Sequence, residues 1–175
     1  MSKVFIISDP HFGHEKMAIK RGFSSSEFHD EYLIAAWNDV VSKRDLVWVL
    51  GDVTMEKKNY AILDRLNGVK KVVGGNHDLP QHSEELMKYV ASISGMVNYK
   101  GFALTHCPIH PSEVTRFRGN IHGHVHEESL NDYRYVNVSC ENVNFKPVEF
   151  SVITNSWRWN MNGIEKFVYK LLTWF

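Results

Sequence analysis

Apolar residues in this chain come in short unbroken runs, and most runs stop at a polar turn rich in Gly, Asp, Asn or His. Residues 4–8 and 46–50 are such runs, too short for helices and dense in Val, Ile and Leu, which is the pattern of strands buried on both faces, and residues 69–73, with Lys70 and Lys71 inside, read as a third strand. They run into Asp9-Pro10-His11, Gly51-Asp52 and Gly75-Asn76-His77-Asp78. Residues 26–41 repeat their apolar positions at spacings of three and four (Phe28, Tyr32, Leu33, Ala36, Trp37, Val40). They predict an amphipathic helix with Ser26 as N-cap. Helices are also expected over 59–66, ended by Asn67-Gly68, and over 83–91 with Ser83 as N-cap. Residues 96–99 and 102–105 read as a hairpin around Lys100-Gly101 that delivers His106. A brief strand at 120–121 leads into His122-Gly123-His124-Val125-His126, and 133–138 and 147–153 read as further strands. From 155 to 175 the chain is aromatic, and Ile164, Phe167, Val168, Leu171, Leu172 and Phe175 share one helical face. That tail is expected to pack on the sheet, with a homodimer contact as the alternative.

Composition narrows the class without naming it. A chain of 175 residues, 43% hydrophobic, is expected to form a single domain over 1–175 with a real core. Twenty basic residues balance twenty acidic ones, so no electrostatic footprint favours long nucleic acid or a membrane surface. No apolar stretch approaches the roughly twenty residues a membrane helix needs. Two cysteines, Cys107 and Cys140, make no disulfide framework, and the expected location is cytoplasmic. Cys107 is read as a small packing residue, and His29 and His82 as surface residues.

The chemistry lies where the runs stop. In open α/β folds ligands gather at the carboxyl ends of strands, and residues two apart on an extended segment point to the same side. Asp9 with His11, Asp52, Asn76, His106, and His124 with His126 can therefore converge. Carboxylate, imidazole and amide oxygen suit hard or borderline divalent ions, and seven donors suffice for two ions with Asp52 shared between them. Manganese is the expected ion in vitro, with iron, zinc or nickel as alternatives. Gly51, Gly74, Gly75 and Gly123 would permit the close backbone approach.

These blocks, in the order D-x-H, G-D, G-N-H-D, a lone His and G-H-x-H, resemble the calcineurin-like metallophosphoesterases across residues 4–150. The small single-domain phosphodiesterase branch, phage and bacterial, is the nearer match. The protein Ser/Thr phosphatase branch places an Arg after its G-D block, where this chain has Val53-Thr54-Met55-Glu56. The resemblance implies a four-layer α/β/β/α sandwich, two mixed sheets with helices outside. It implies one ion on Asp9, His11 and His126, the other on Asn76, His106 and His124, and Asp52 bridging. His77 would donate the proton to the leaving group, and Asp78 would orient His77.

His14, His110, His122 and Arg118 are further candidates for substrate contact. His122 alternates with His124, which leaves it either facing the site or supporting it from beneath. The expected activity is hydrolysis of a phosphodiester, with a cyclic nucleotide or small nucleotide diester as substrate. A nuclease or phosphomonoesterase on the same site is the alternative within enzymes. A catalytically silent binding scaffold is the alternative outside them, although every block is filled here.

Overall fold

A computed structural model describes residues 2–78 and 80–161. Its elements, in chain order, are β1 (Val4–Ile7), α1 (Glu15–Lys20), α2 (Ser26–Val40), β2 (Leu46–Val49) and β3 (Val69–Val73). Then come α3 (Ser83–Leu86), β4 (Ser92–Ser94), β5 (Val97–Tyr99), β6 (Phe102–Leu104), α4 (Pro111–Val114) and β7 (Gly119–His122). The last are β8 (Tyr135–Asn137), β9 (Val148–Glu149) and α5 (Phe150–Met161). The strands form two mixed sheets flanked by helices, ordered β4-β3-β2-β1-β9 and β5-β6-β7-β8. The four strands from β4 to β1 are parallel and β9 is antiparallel; β6, β7 and β8 are parallel and β5 is antiparallel.

Period-two alternation explains why the first runs are apolar throughout. Phe5, Ile7, Val47, Val49 and Val72 point into one core with Leu33, Trp37, Tyr60 and Leu63. Ile6, Trp48, Leu50 and Val73 point the other way, into a second core with Phe102, Leu104 and Ile121. β1 and β2 are thus sandwiched and have no polar face to show, whereas β3 carries Lys70 and Lys71 and is buried only at Val72 and Val73. The sheets meet where Ser8 N donates to Val138 O at 2.9 Å and Cys140 N to Ser8 O at 3.0 Å. Asn120 ties the second sheet to the loop that follows it. Fully buried, it donates to Ala103 O (3.0 Å) and Thr105 Oγ1 (2.9 Å), and accepts from Ile109 N (2.9 Å). Asn120→Leu strands those partners in an apolar site. It is expected to cost about 2–4 kcal/mol in urea unfolding, and a loss below about 0.5 kcal/mol would show the network to be dispensable.

Several boundaries differ from expectation for local reasons. Ser25, one residue earlier than expected, caps α2 by accepting from Phe28 N. The buried stripe of α2 runs His29, Leu33, Ala36 and Trp37, and leaves Phe28 67% exposed. Residues 57–65 wind as a 3-10 helix, matching the three-residue spacing of buried Tyr60, Leu63 and Leu66. Beyond Leu86 the expected third helix dissolves into i→i−3 turns. The run at 147–153 is a strand only at Val148–Glu149, because buried Phe150, Ile153 and Trp157 repeat at helical spacing and begin α5. The sequence reading missed α1 and β4. Of the aromatic tail, residues 162–175, with the face from Ile164 to Phe175 and the dimer contact assigned to it, lie outside the described residues. Among the described residues no helix is long and apolar enough to cross a membrane.

Candidate metal centre

Five parallel strands aim their carboxyl ends at one place. β1 delivers Asp9 and His11, β2 Asp52, β3 Asn76, β6 His106 and β7 His124 and His126. The turns are sharp, and Asp9, His11, Asp52, His124 and His126 all sit at φ between 49° and 71°. Residues other than Gly seldom adopt that region, with Asn, Asp and His the commonest exceptions, and such strain of order 1–3 kcal/mol gathers at functional sites. Close packing of the turns demands glycine at three positions. A Cβ on Gly75 would overlap the Asp52 carboxylate, and one on Gly123 would overlap Ser8 Oγ and Asp9 Oδ2. A Cβ on Gly51, at φ +87°, would lie 2.6 Å from His106 Nδ1. Gly74 needs no such exemption, its nearest neighbour being Ser94 O at 4.0 Å.

Each carboxylate has one oxygen tied to protein donors and one left over. Asp9 Oδ2 accepts from His124 N and Ser139 Oγ, both at 2.9 Å, and Oδ1 is buried without a hydrogen-bond partner. Asp52 Oδ1 accepts from His77 N at 2.9 Å. Its Oδ2 lies 3.7 Å from His11 Nε2, 3.5 Å from His106 Nε2 and 3.8 Å from His77 Nε2. Both ring nitrogens of His11 are buried and unpaired. Burial foremost, then the nearby Arg21, His126, His77 and His14, push the His11 pKa down to about 2, so the ring is neutral and offers a lone pair.

His106 is oriented from behind. Its Nδ1 lies 2.8 Å from Leu50 O, a carbonyl that can only accept, so the proton is on Nδ1 and Nε2 presents its lone pair. That lone pair faces the Asn76 amide oxygen at 2.8 Å and His124 Nδ1 at 3.1 Å. Acceptors converging at such distances are what a cation between them would satisfy. Three sets of side chains bring ligand atoms within 4.8 Å of one another: Asp9, His11 and His126; Asp9, Asp52 and His106; and His106, Cys107 and His124. Orphaned buried acceptors and the donor set both fit divalent ions.

Other candidates fall elsewhere. Asp78 turns from His77 and accepts from Val53 N (3.1 Å) and Gly75 N (3.0 Å), so it clasps the ends of β2 and β3. Burial, and less so the charge of Asp52, raise its pKa against those two hydrogen bonds. His122 is fully buried, donates from Nδ1 to Gly123 O and packs edge-on to Tyr135, so it cannot touch a substrate. The chain turns at His124, at φ 71° with Val125 N donating to Gly123 O, which breaks the parity that linked His122 with His124. Arg118 lies at the opposite end of β7, between the rings of Phe102 (5.0 Å) and Trp157 (5.3 Å). His14 caps α1 by accepting from Met17 N at 3.0 Å, with its ring 5.6 Å from that of His11. His110 is exposed and caps α4 through Ser112 N. Cys107 is exposed rather than packed.

Sequence reasoning missed the groups behind the candidate ligands. His126 Nδ1 donates to Glu141 Oε1 at 3.0 Å, and Arg21 pairs with the same carboxylate at 2.8 Å. Burial opposes it, but the His126 hydrogen bond and the Arg21 charge hold Glu141 down at about 2. In return the Glu141 hydrogen bond raises His126. His29, expected at the surface, is wholly buried between Arg21 and Asp30. His82 is half-buried against Tyr60. A cleft of about 320 Å³ opens beside His124 and His126, lined also by Lys20, Val125, Glu127 and Glu128.

Comparison with known proteins places these features in a family. The model of the calcineurin-like phosphoesterases matches residues 2–144. An uncharacterized protein of Methanocaldococcus jannaschii is 35% identical over 167 residues, 87% of this chain and 90% of that one. The gene 66 protein of Mycobacterium phage D29 is 40% identical over 86 residues, 46% of this chain and 42% of the phage protein. Among solved structures, a protein of unknown function from Aquifex aeolicus superposes with a TM-score of 0.70 at 25% identity, over 89% of this chain and 100% of that one.

Proposed function

The chain belongs to the calcineurin-like phosphoesterase family, and from that premise we propose that it is a binuclear metal-dependent phosphodiesterase acting on a cyclic nucleotide or small nucleotide diester. Asp9, His11 and His126 would hold one ion, and Asn76, His106 and His124 the other. Asp52, whose free oxygen is near equally far from His11 and His106, would stand between them. When bound, such a pair of divalent ions polarises the phosphoryl group and acidifies a water for in-line attack.

The protein's own part is proton transfer and shape. The observation that carries the reading is the setting of His77. Its backbone N–H is fixed to Asp52, and its ring stands 5.5 Å from that of His11 with the side chain 36% exposed. An imidazole at the open rim of a buried ligand cluster is placed to hand a proton to a departing alkoxide. The diester preference follows from charge. Among the described residues Lys20 is the one cation lining the cleft beside His124 and His126, and Glu127 and Glu128 line it too. The guanidinium of Arg21 is spent on Glu141 and on backbone carbonyls. A dianionic monoester would meet little to grip it.

His77→Ala is expected to lower kcat on bis-p-nitrophenyl phosphate by about 10²–10⁴-fold while metal content stays that of wild type. p-Nitrophenyl phosphate should be a poor substrate throughout. Undiminished turnover in the variant would remove His77 from the chemistry. A preference for the monoester would turn the reading to a phosphomonoesterase, and cleavage of long nucleic acid ahead of small diesters would turn it to a nuclease.

A further inference from the structure

One buried chain of polar contacts reaches the metal ligands without being part of them. Arg21, the C-cap residue of α1, has a side chain only 2% exposed. Its Nη2 donates to Asp9 O (2.8 Å), its Nη1 to Pro10 O (3.1 Å) and to His29 Nε2 (3.0 Å), and its Nε to Glu141 Oε1 (2.9 Å). Glu141, 120 residues further on, has a side chain 10% exposed, and the same Oε1 accepts the Nδ1 proton of His126 at 3.0 Å. That hydrogen bond leaves Nε2 of His126 as the acceptor facing the site.

We propose that Arg21 and Glu141 are positioning residues that set the affinity of the Asp9, His11 and His126 ion and leave the other ion untouched. The inference rests on the metal reading above. Its physical content is selectivity. Both partners of the pair act on the same three ligands: Glu141 fixes the tautomer and tilt of His126, and Arg21 holds the carbonyls of Asp9 and Pro10. The loop so held keeps Asp9 and His11 at φ 57° and 51°, a conformation that must be imposed from outside. His106 is oriented instead by Leu50 O and meets Asn76 and His124, none of which bonds to Arg21 or Glu141. Carboxylate partners behind ligating histidines typically set metal affinity by 10–100-fold.

The test is stepwise binding of Mn²⁺ to metal-stripped protein, read by titration calorimetry. Glu141→Gln keeps an acceptor for His126 and nearly the same volume but removes the charge, so folding should survive; Arg21→Lys keeps the charge and loses the fork. In both, one of the two binding steps is expected to weaken about 10–100-fold while the other keeps its wild-type constant. The weakened step should be the one that remains in His124→Ala. Thermal unfolding of the stripped variants separates a structural role. A lowered Tm with both constants unchanged overturns the inference, as does equal weakening of the two steps. Wild type that binds two ions, with Glu141→Gln indistinguishable from it, overturns this inference alone. Wild type that binds no ion overturns the metal reading with it.

Discussion

Asp52→Asn is expected to reduce kcat/KM on a phosphodiester by about 10³-fold or more, which corresponds to about 4 kcal/mol of transition-state stabilisation. The side chain keeps its volume, and an amide oxygen can still accept from His77 N as Asp52 Oδ1 does at 2.9 Å. What changes is the other atom. Asp52 Oδ2, between His11 Nε2 at 3.7 Å and His106 Nε2 at 3.5 Å, would become an NH₂ whose hydrogens point at two ring nitrogens. A negative charge that both ions would share is replaced by a donor that competes with them for the histidine lone pairs. Both ions should therefore bind more weakly, which distinguishes this variant from Glu141→Gln. The measurement is steady-state hydrolysis of bis-p-nitrophenyl phosphate with metal content determined on the same sample. Activity within about tenfold of wild type, close to 1.4 kcal/mol, would mean that Asp52 does not bridge.

Gly123→Ala should be nearly as damaging by another route. The new methyl would occupy the space of Ser8 Oγ and Asp9 Oδ2, and both of those atoms are already committed. Ser8 Oγ donates to Leu50 O at 2.5 Å, and Asp9 Oδ2 receives His124 N and Ser139 Oγ. Because Ser8 also bridges the two sheets, the displacement cannot be absorbed locally. A loss of about 1–3 kcal/mol in unfolding free energy is expected from overpacking, together with loss of the Asp9 ion. A variant with wild-type stability and full metal content would show that the contact relaxes at no cost.

These variants mark where the sequence was informative. The candidate ligand blocks were legible because each follows a strand, and the strands before Asp9 and Asp52 are too apolar to be anything but sandwiched. The carboxyl end of a parallel strand then determines where Asp9, Asp52 and Asn76 must go. Alternation leaves His122 either facing the site or supporting it, and Arg118 misled because it was judged by distance along the chain. One turn at His124 leaves His122 in the core, and the length of β7 separates Arg118 from the site. The resemblance implies Asp78 as a partner of His77, whereas its carboxylate accepts from the N–H groups of Val53 and Gly75. Nothing local announced Glu141 or Arg21. Their pairing spans 120 residues, and neither sits in a strand-end block. The left-handed backbone at these positions was equally invisible, since Asp and His tolerate it but adopt it only where packing selects it.

The fold and the site agree at the level of electrostatics. The buried groups on Asp9, His11 and the Asn76-facing His106 fit a divalent ion among them. Arg21, buried beside the site, is turned to carbonyls and to Glu141 instead.

The most direct test is to strip the protein with a chelator and restore Mn²⁺ in measured amounts while following hydrolysis of bis-p-nitrophenyl phosphate. Hydrolysis should be absent from the stripped protein, rise with added metal and level off at two ions per chain. Turnover that survives chelation, or that levels off at one ion, would contradict a binuclear centre assembled from these five strand ends.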